Sequence, residues 1–271
     1  MPFKVKIPPS GIIVLKKNGE KLKIKTNQTN YLTYLIFWDG YTNFEYTTIF
    51  QSLIKKVNVF YDIGANIGYY SLLAEFENPS IKVVSFEPAI GPLFYLNENV
   101  LINNFKNIKT EGLALSHTSG EIEFFEIKNH KYSYLKHNLG GEGNAGSKVT
   151  GRNFKSVMVK TLTLDEYVVL NDEVQIDLIK MDTEGTEDLI LEHAETVLRI
   201  MKPIIICETI FNKIETKLEA ILLQYGYEFY NHNEYGLFKV PSIIRDQDNG
   251  ISNCFFVHPS KKSLIEEYII T

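Results

Sequence analysis

The chain has 271 residues, 44% of them hydrophobic and 23% charged, a balance that excludes global disorder and allows one large core, or one core with a small appendage. A formal net charge of -5, from 28 basic against 33 acidic residues, argues against a nucleic acid as the main partner, since that calls for a basic face. No uninterrupted apolar stretch reaches membrane-spanning length, so no stable membrane insertion is expected.

The first ten residues hold two lysines and three prolines but no apolar signal core, which makes a cytoplasmic location the expectation. Residues 11–26 alternate apolar and polar side chains around Asn18-Gly19, a hairpin signal. Residues 31–56 are aromatic-rich and partly helical, with Phe50, Leu53 and Ile54 at helical spacing. Both segments read as a cap, residues 1–56, laid against a main domain of residues 57–271. The cap aromatics Tyr31, Tyr34, Phe37, Trp38 and Tyr41 suit core, a subunit interface or stacking on sugar rings, and core is the first choice.

From residue 57 strands and helices alternate. Residues 57–61, 81–86, 108–113, 176–181 and 204–208 read as buried strands, and 69–76, 93–103, 186–199 and 216–225 as helices. Residues 121–127 and 156–160 are additional strand-like runs, 163–170 a short helix, and 227–231 and 254–258 a closing pair of strands. Between them, residues 128–155 form a variable stretch whose Gly141–Gly146 run is flexible by composition and suits a mobile substrate loop. Alternation of this kind predicts an α/β fold, a doubly wound and mostly parallel sheet that binds ligand at the carboxyl ends of its strands. Cys207 and Cys254 lack metal-finger spacing and read as reduced core thiols.

Three strand ends carry the chemistry. The first strand runs into Asp62-Ile63-Gly64-Ala65-Asn66-Ile67-Gly68. Gly64 permits a sharp turn and close approach of a ligand, and Gly68 close packing of the next helix. The dinucleotide fingerprint G-x-G-x-x-G is absent, with Asn66 where the extra glycine would stand, and so is the P-loop. A nucleoside with a short zwitterionic arm suits this turn better than a pyrophosphate, with Asp62 and Asn66 serving the arm. S-adenosylmethionine has that shape. The second strand ends in Glu87-Pro88, a carboxylate roughly twenty residues past the turn, where ribose hydroxyls are gripped. After the third strand, Leu113-Ala114-Leu115-Ser116 is placed to border an adenine, and Ala114 is the candidate contact.

The far strands end in Asp182-Thr183-Glu184-Gly185-Thr186-Glu187 and in Glu208. A methyl acceptor must be aligned and, if a hydroxyl, deprotonated, and carboxylates suit both tasks. Asp182, Glu184 and Glu208 are the candidate catalytic residues, with Asp182 or Glu208 as base or orienting group. Glu187 is assigned to the start of its helix. A divalent metal held by this cluster is conceivable, but no histidine accompanies it and its spacing carries no metal signature, so no metal ligand is assigned. His117, His130 and His137 are candidate bases that read individually as solvated loop residues.

These motifs together, with Tyr69-Tyr70, Phe86, the run Leu178-Ile179-Lys180-Met181 and the Pro203 strand, resemble the FkbM-type methyltransferases over about residues 45–258. The resemblance implies a class I, Rossmann-like methyltransferase fold with a seven-stranded sheet and S-adenosylmethionine as donor. It implies transfer to a hydroxyl oxygen of a sugar, glycan, polyketide or other small natural product. Asp62, Gly64, Asn66 and Gly68 would border the methionine arm, Glu87 the ribose, and Asp182 and Glu208 the methyl. The implied strand order sets Cys254 beside Cys207. Two other readings stand: a nicotinamide-dependent oxidoreductase using Glu87 on its ribose, and a non-catalytic cofactor-binding interaction module. A homo-oligomer is open.

Overall fold

The fold is taken from a computed structural model that describes residues 5–127, 132, 134–139, 144–145 and 154–270. Fourteen strands and seven α-helices are described. The hairpin β1 (Gly11–Lys17) and β2 (Glu20–Thr26) is followed by α1 (Tyr31–Leu35) and α2 (Thr47–Leu53). Then come β3 (Val59–Ile63), α3 (Tyr69–Glu77), β4 (Lys82–Phe86), α4 (Ile90–Ile102) and β5 (Ile108–Glu111). An insertion holds β6 (Ala114–Leu115), β7 (Gly120–Ile127), β8 (Asn144–Ala145) and β9 (Phe154–Leu162). The chain resumes with α5 (Leu164–Leu170), β10 (Leu178–Met181), α6 (Glu187–Glu192), β11 (Ile204–Glu208) and α7 (Glu215–Gln224). It closes with β12 (Glu228–Asn233), β13 (Gly236–Val240) and β14 (Asn253–Val257).

The main sheet has the order β13-β12-β14-β11-β10-β3-β4-β5, parallel from β11 to β5 and antiparallel beyond. It is the expected doubly wound α/β sheet, but with eight strands. The sequence reading missed β13, because Gly236–Val240 is short and follows β12 through a tight turn at Glu234-Tyr235. Strand order reverses between β3 and β10, so the switch point lies where Gly64 and Asp182 leave the sheet. Cys207 faces Cys254 in register, and both are free and buried.

The two faces of the parallel strands are covered by different elements. Phe60, Val83, Leu178 and Ile206 share a cluster with α2, α3 and the hairpin's Leu22 and Ile24. Tyr61, Val84, Ile179 and Ile205 pack on α5, α6 and α7. The expected 186–199 helix is broken after Glu192, where Ala194 turns the chain into a π-helical turn at Val197–Met201.

A second sheet, β6-β9-β7-β8, stands beside the first and is built mainly on the long antiparallel pair β7–β9. The Gly141–Gly146 run falls, apart from Asn144 and Ala145, outside the described residues, as does His130.

The hairpin's turn at Asn18-Gly19 has positive φ at both positions, as an Asn-Gly hairpin turn requires. Its outer strand β2 is received by a helix. Asn99 of α4 accepts from the Lys25 amide at 2.6 Å and donates to the Lys25 carbonyl at 3.2 Å, while Asn103 does the same for Lys23 at 2.9 and 2.7 Å. Two asparagines four apart on a helix thus satisfy residues two apart on a strand edge, which otherwise invites a stray chain.

Candidate functional site

A cavity of about 1050 Å³ opens over the switch point. Its floor is the glycine turn, its walls are the carboxyl ends of β4, β10 and β11, and cap and second-sheet residues lie over it. That volume is at the upper end of small-molecule sites and holds a nucleoside-sized ligand together with a second reactant.

The turn is shaped by neighbouring backbone. Gly64 has φ +73°, and a Cβ there would lie 1.9 Å from the carbonyl oxygen of Asp182. Gly64 is thus demanded by the adjoining strand end, whatever occupies the cavity. Gly68, at φ +90°, clears Leu96 of α4, which a Cβ would meet at 2.4 Å. It does not line the cavity, and it serves helix-on-helix packing at the start of α3.

Asp62 lies deeper than expected. The strand runs two residues beyond its expected end, so Asp62 is still pleated into β3 and points under α3. It is 1% exposed, does not line the cavity, and accepts from the Ser71 amide at 3.1 Å and hydroxyl at 2.5 Å. Register places Lys180 of β10 on one side of it and Ser85 of β4 on the other. The ammonium that Asp62 meets is the protein's own: Lys180 Nζ lies 3.5 Å from Asp62 Oδ1 and 3.5 Å from Asp182 Oδ2, and donates to the Gly64 carbonyl at 2.9 Å. Burial works against the charge of Lys180, but Asp182, Asp62 and Glu45 outweigh it and hold the lysine protonated. Lys180 thereby ties the glycine turn to the carboxylate end of the site. The sequence contains its signal, a lysine in the otherwise apolar strand Leu178–Met181, since a lysine is rarely buried without partners.

Glu87 is 7% exposed, on the cavity wall. One carboxylate oxygen accepts from the Asn66 amide at 2.8 Å and the other from the Ala89 amide at 2.9 Å, fixing it across the mouth of the turn. Burial pushes its carboxyl up to about 7, against these two hydrogen bonds. Asn66 takes a left-handed φ of +52°, lines the cavity and accepts from the Ile67 amide at 2.8 Å. Pro88 and Ala114 also line the cavity, Ala114 at the junction with the second sheet.

Every amide of the turn is engaged within the protein. Gly64 and Ala65 donate to the Phe86 carbonyl at 3.0 Å, Asn66 to Glu87, Ile67 to the Asn66 side chain, and Gly68 to the Ala65 carbonyl at 2.8 Å. No nest of N–H groups awaits a phosphate here. The turn offers no free N–H to a phosphate, and the Glu87 carboxylate stands at its mouth.

At the opposite wall Asp182, Glu184 and Glu208 each place a carboxylate oxygen within 4.8 Å of the others. Such a trio could hold a divalent cation, and Lys180 supplies positive charge beside Asp182. Burial, Asp182 and Glu184 push the Glu208 carboxyl well above its ordinary value, toward its protonated form. Glu187 is fully buried and braces the loop ahead of its helix, accepting from the Thr183 amide at 2.6 Å and the Gly185 amide at 3.1 Å. His117 and His137 also line the cavity. His117 lies 3.3 Å from the Ser116 hydroxyl, and His137 stacks on Phe94 at 4.5 Å.

Residues 62–229 match the Methyltransferase FkbM domain, which is more than half of the chain. The chain belongs to the FkbM methyltransferase family. It is 28% identical over 190 residues to Methyltransferase sdnD of Sordaria araneosa, covering 62% of this chain and 72% of that one. Among solved structures it is similar to a SAM-dependent methyltransferase from Agrobacterium tumefaciens, at 9% identity and a TM-score of 0.47 over 93% of this chain and 71% of that one. It is also similar to precorrin-6y C5,15-methyltransferase from Geobacter metallireducens, at 13% identity and a TM-score of 0.43 over 78% and 87% of the chains. The methyltransferase uses S-adenosylmethionine, a donor whose adenosine carries a sulfonium and no phosphate, in keeping with the engaged amides of its turn.

Proposed function

We propose that this methyltransferase acts on a hydroxyl oxygen of a small polyhydroxylated acceptor, a sugar, glycan or other natural product. The observation that supports the reading best is a single cavity carrying Glu87 on one wall and Asp182, Glu184 and Glu208 on another. The donor, when bound, supplies an electrophilic methyl on a sulfonium that leaves as a thioether. Everything else falls to the chain's own residues. Glu87 takes the ribose hydroxyls, with Gly64, Asn66, Pro88 and Ala114 bordering the donor. Asp182, paired with Lys180, accepts a hydrogen bond from the acceptor, while protonated Glu208 donates one. A carboxylate that accepts beside a carboxylic acid that donates can grip neighbouring hydroxyls and fix their orientation, and orientation is a large part of what displacement at a methyl carbon needs. The acidic wall and the net charge of -5 both disfavour a nucleic-acid acceptor. We place the reaction in the cytoplasm, a reducing setting that suits Cys207 and Cys254 standing face to face as thiols.

The oxidoreductase alternative is disfavoured by the engaged turn amides, which leave a dinucleotide pyrophosphate without donors. Calorimetry with S-adenosylhomocysteine and separately with NADH, followed by transfer of radiolabelled methyl to a panel of sugars and polyketide alcohols, tests the proposal. Heat with S-adenosylhomocysteine and label in an alkali-stable ether is expected. Asp182→Ala and Glu208→Ala should each lower transfer by about a hundredfold or more while keeping S-adenosylhomocysteine affinity. Heat with NADH alone, or label confined to amines, rejects the reading, and undiminished transfer in both variants rejects the roles given to the carboxylates.

A further inference from the structure

The reaction needs a group to receive the acceptor's proton, and the residues at the far wall are poorly suited. Lys180 stands 3.5 Å from Asp182, so a proton taken up there would leave the buried lysine with one anion fewer. Burial, Asp182 and Glu184 already push Glu208 toward its protonated form. A fourth carboxylate reaches the same cavity from another part of the chain. Glu45 belongs to the N-terminal cap, outside the segment that matches the family, and it lines the cavity with Asp182, Lys180 and Glu208.

Its placement is built. Glu45 has a left-handed φ of +42°, a backbone state that a non-glycine residue holds only where its surroundings enforce it. The neighbouring Tyr46 provides the enforcement. It is 2% exposed, stacks on Tyr70 at 4.9 Å with the rings 7° from parallel, and meets Phe255 edge-on at 5.6 Å. With Tyr46 locked into the core, the kink turns Glu45 outward into the cavity, where Tyr70 donates to its Oε2 at 2.9 Å. Tyr70 opens α3 just past the glycine turn, so one helix links the donor's floor to this carboxylate.

We propose that Glu45 is the proton acceptor for the acceptor's hydroxyl group. This rests on the hydroxyl-transfer reading above. As the acceptor oxygen bonds to the methyl carbon, the carbon–sulfur electron pair stays with sulfur and the O–H proton passes to Glu45, which then releases it to water at the cavity mouth. Glu45 keeps an exposed edge, but the desolvation of its carboxyl where it enters the cavity raises it from its ordinary value and Asp182 adds to this, while the hydrogen bond from Tyr70 and the charge of Lys180 pull it down. Glu208, Tyr46 and Tyr69 are the other titratable groups that interact with it.

The test uses the full chain and the alcohol that the wild type labels fastest in the panel described above. Glu45→Gln, nearly isosteric, should lower kcat by about a hundredfold or more, leave the S-adenosylhomocysteine Kd within about twofold, and remove the acidic limb of the kcat–pH profile. Tyr70→Phe deletes a bond that favours the ionised carboxylate, so the acidic limb should move to higher pH, a displacement that a merely structural role for Glu45 would not produce. A Glu45→Gln enzyme within about threefold of wild-type kcat, or one that loses S-adenosylhomocysteine binding in step with kcat, overturns the assignment. A wild type that labels no alcohol in the panel overturns the hydroxyl reading, and this inference with it.

Discussion

At the residue scale the site turns on where buried carboxylates keep their protons. Glu87 titrates near 7 in the free protein because burial outweighs its two amide donors. Ribose hydroxyls donate hydrogen bonds, so they favour its ionised form. S-adenosylhomocysteine affinity should therefore weaken as pH falls through about 7, approaching tenfold per unit, and Glu87→Gln should flatten that dependence in a calorimetric series. The sign for folding runs the other way. A carboxyl raised above its ordinary 4.5 contributes stability below that value, and the contribution is lost as pH rises through about 7. Lys180 is the complementary case, a buried cation shared by two carboxylates. Lys180→Met should cost about 3–5 kcal/mol in urea unfolding by removing the cation beside the buried Asp62, and adding Asp62→Asn should recover much of it. The sequence displays Glu87, Asp182 and Glu208 at strand ends, because a carboxylate closing an apolar run is conspicuous. It does not display the partners of Asp62, since those follow from a register and a strand two residues longer than the apolar pattern suggests.

At the element scale, the strands and helices flanking the switch point are legible because period and turn residues agree there. The neighbouring of Cys254 and Cys207 followed only from the strand order that the family resemblance implies, and the register has it. Elements whose form depends on distant packing are less legible. The break after Glu192 and the strand Gly236–Val240 are set by neighbours and not by local pattern. The docking of the hairpin on α4 is of the same kind. Asn99, fully buried, also donates to the Ile67 carbonyl at 3.0 Å, so one side chain joins the hairpin, the helix and the glycine turn. Asn99→Ala should destabilise the protein by about 3 kcal/mol, because buried backbone groups lose partners, and should raise amide exchange in β2 more than in β10. Equal exchange in the two strands would mean that the helix does not hold the hairpin.

At the scale of the whole molecule, the donor's floor and the proposed proton acceptor come from opposite sides of the boundary of the family match, one inside it and one before it. A shortened chain beginning at residue 57 would keep Glu87 and the glycine turn but lose Glu45, and with it Tyr46, Phe50 and the hairpin leucines of the shared core. It should therefore lose stability along with catalysis, which is why point substitutions test the cap better than truncation.

The engaged amides of the glycine turn carry a consequence for life among adenine nucleotides. ATP shares its adenosine with the methyl donor and would be its natural competitor for the pocket. A triphosphate on the 5′ carbon would meet a loop with no N–H left to receive it and a carboxylate fixed across that loop's mouth. With the donor placed over this turn as proposed, selectivity for a sulfonium over a phosphate follows from the hydrogen bonding of five consecutive residues.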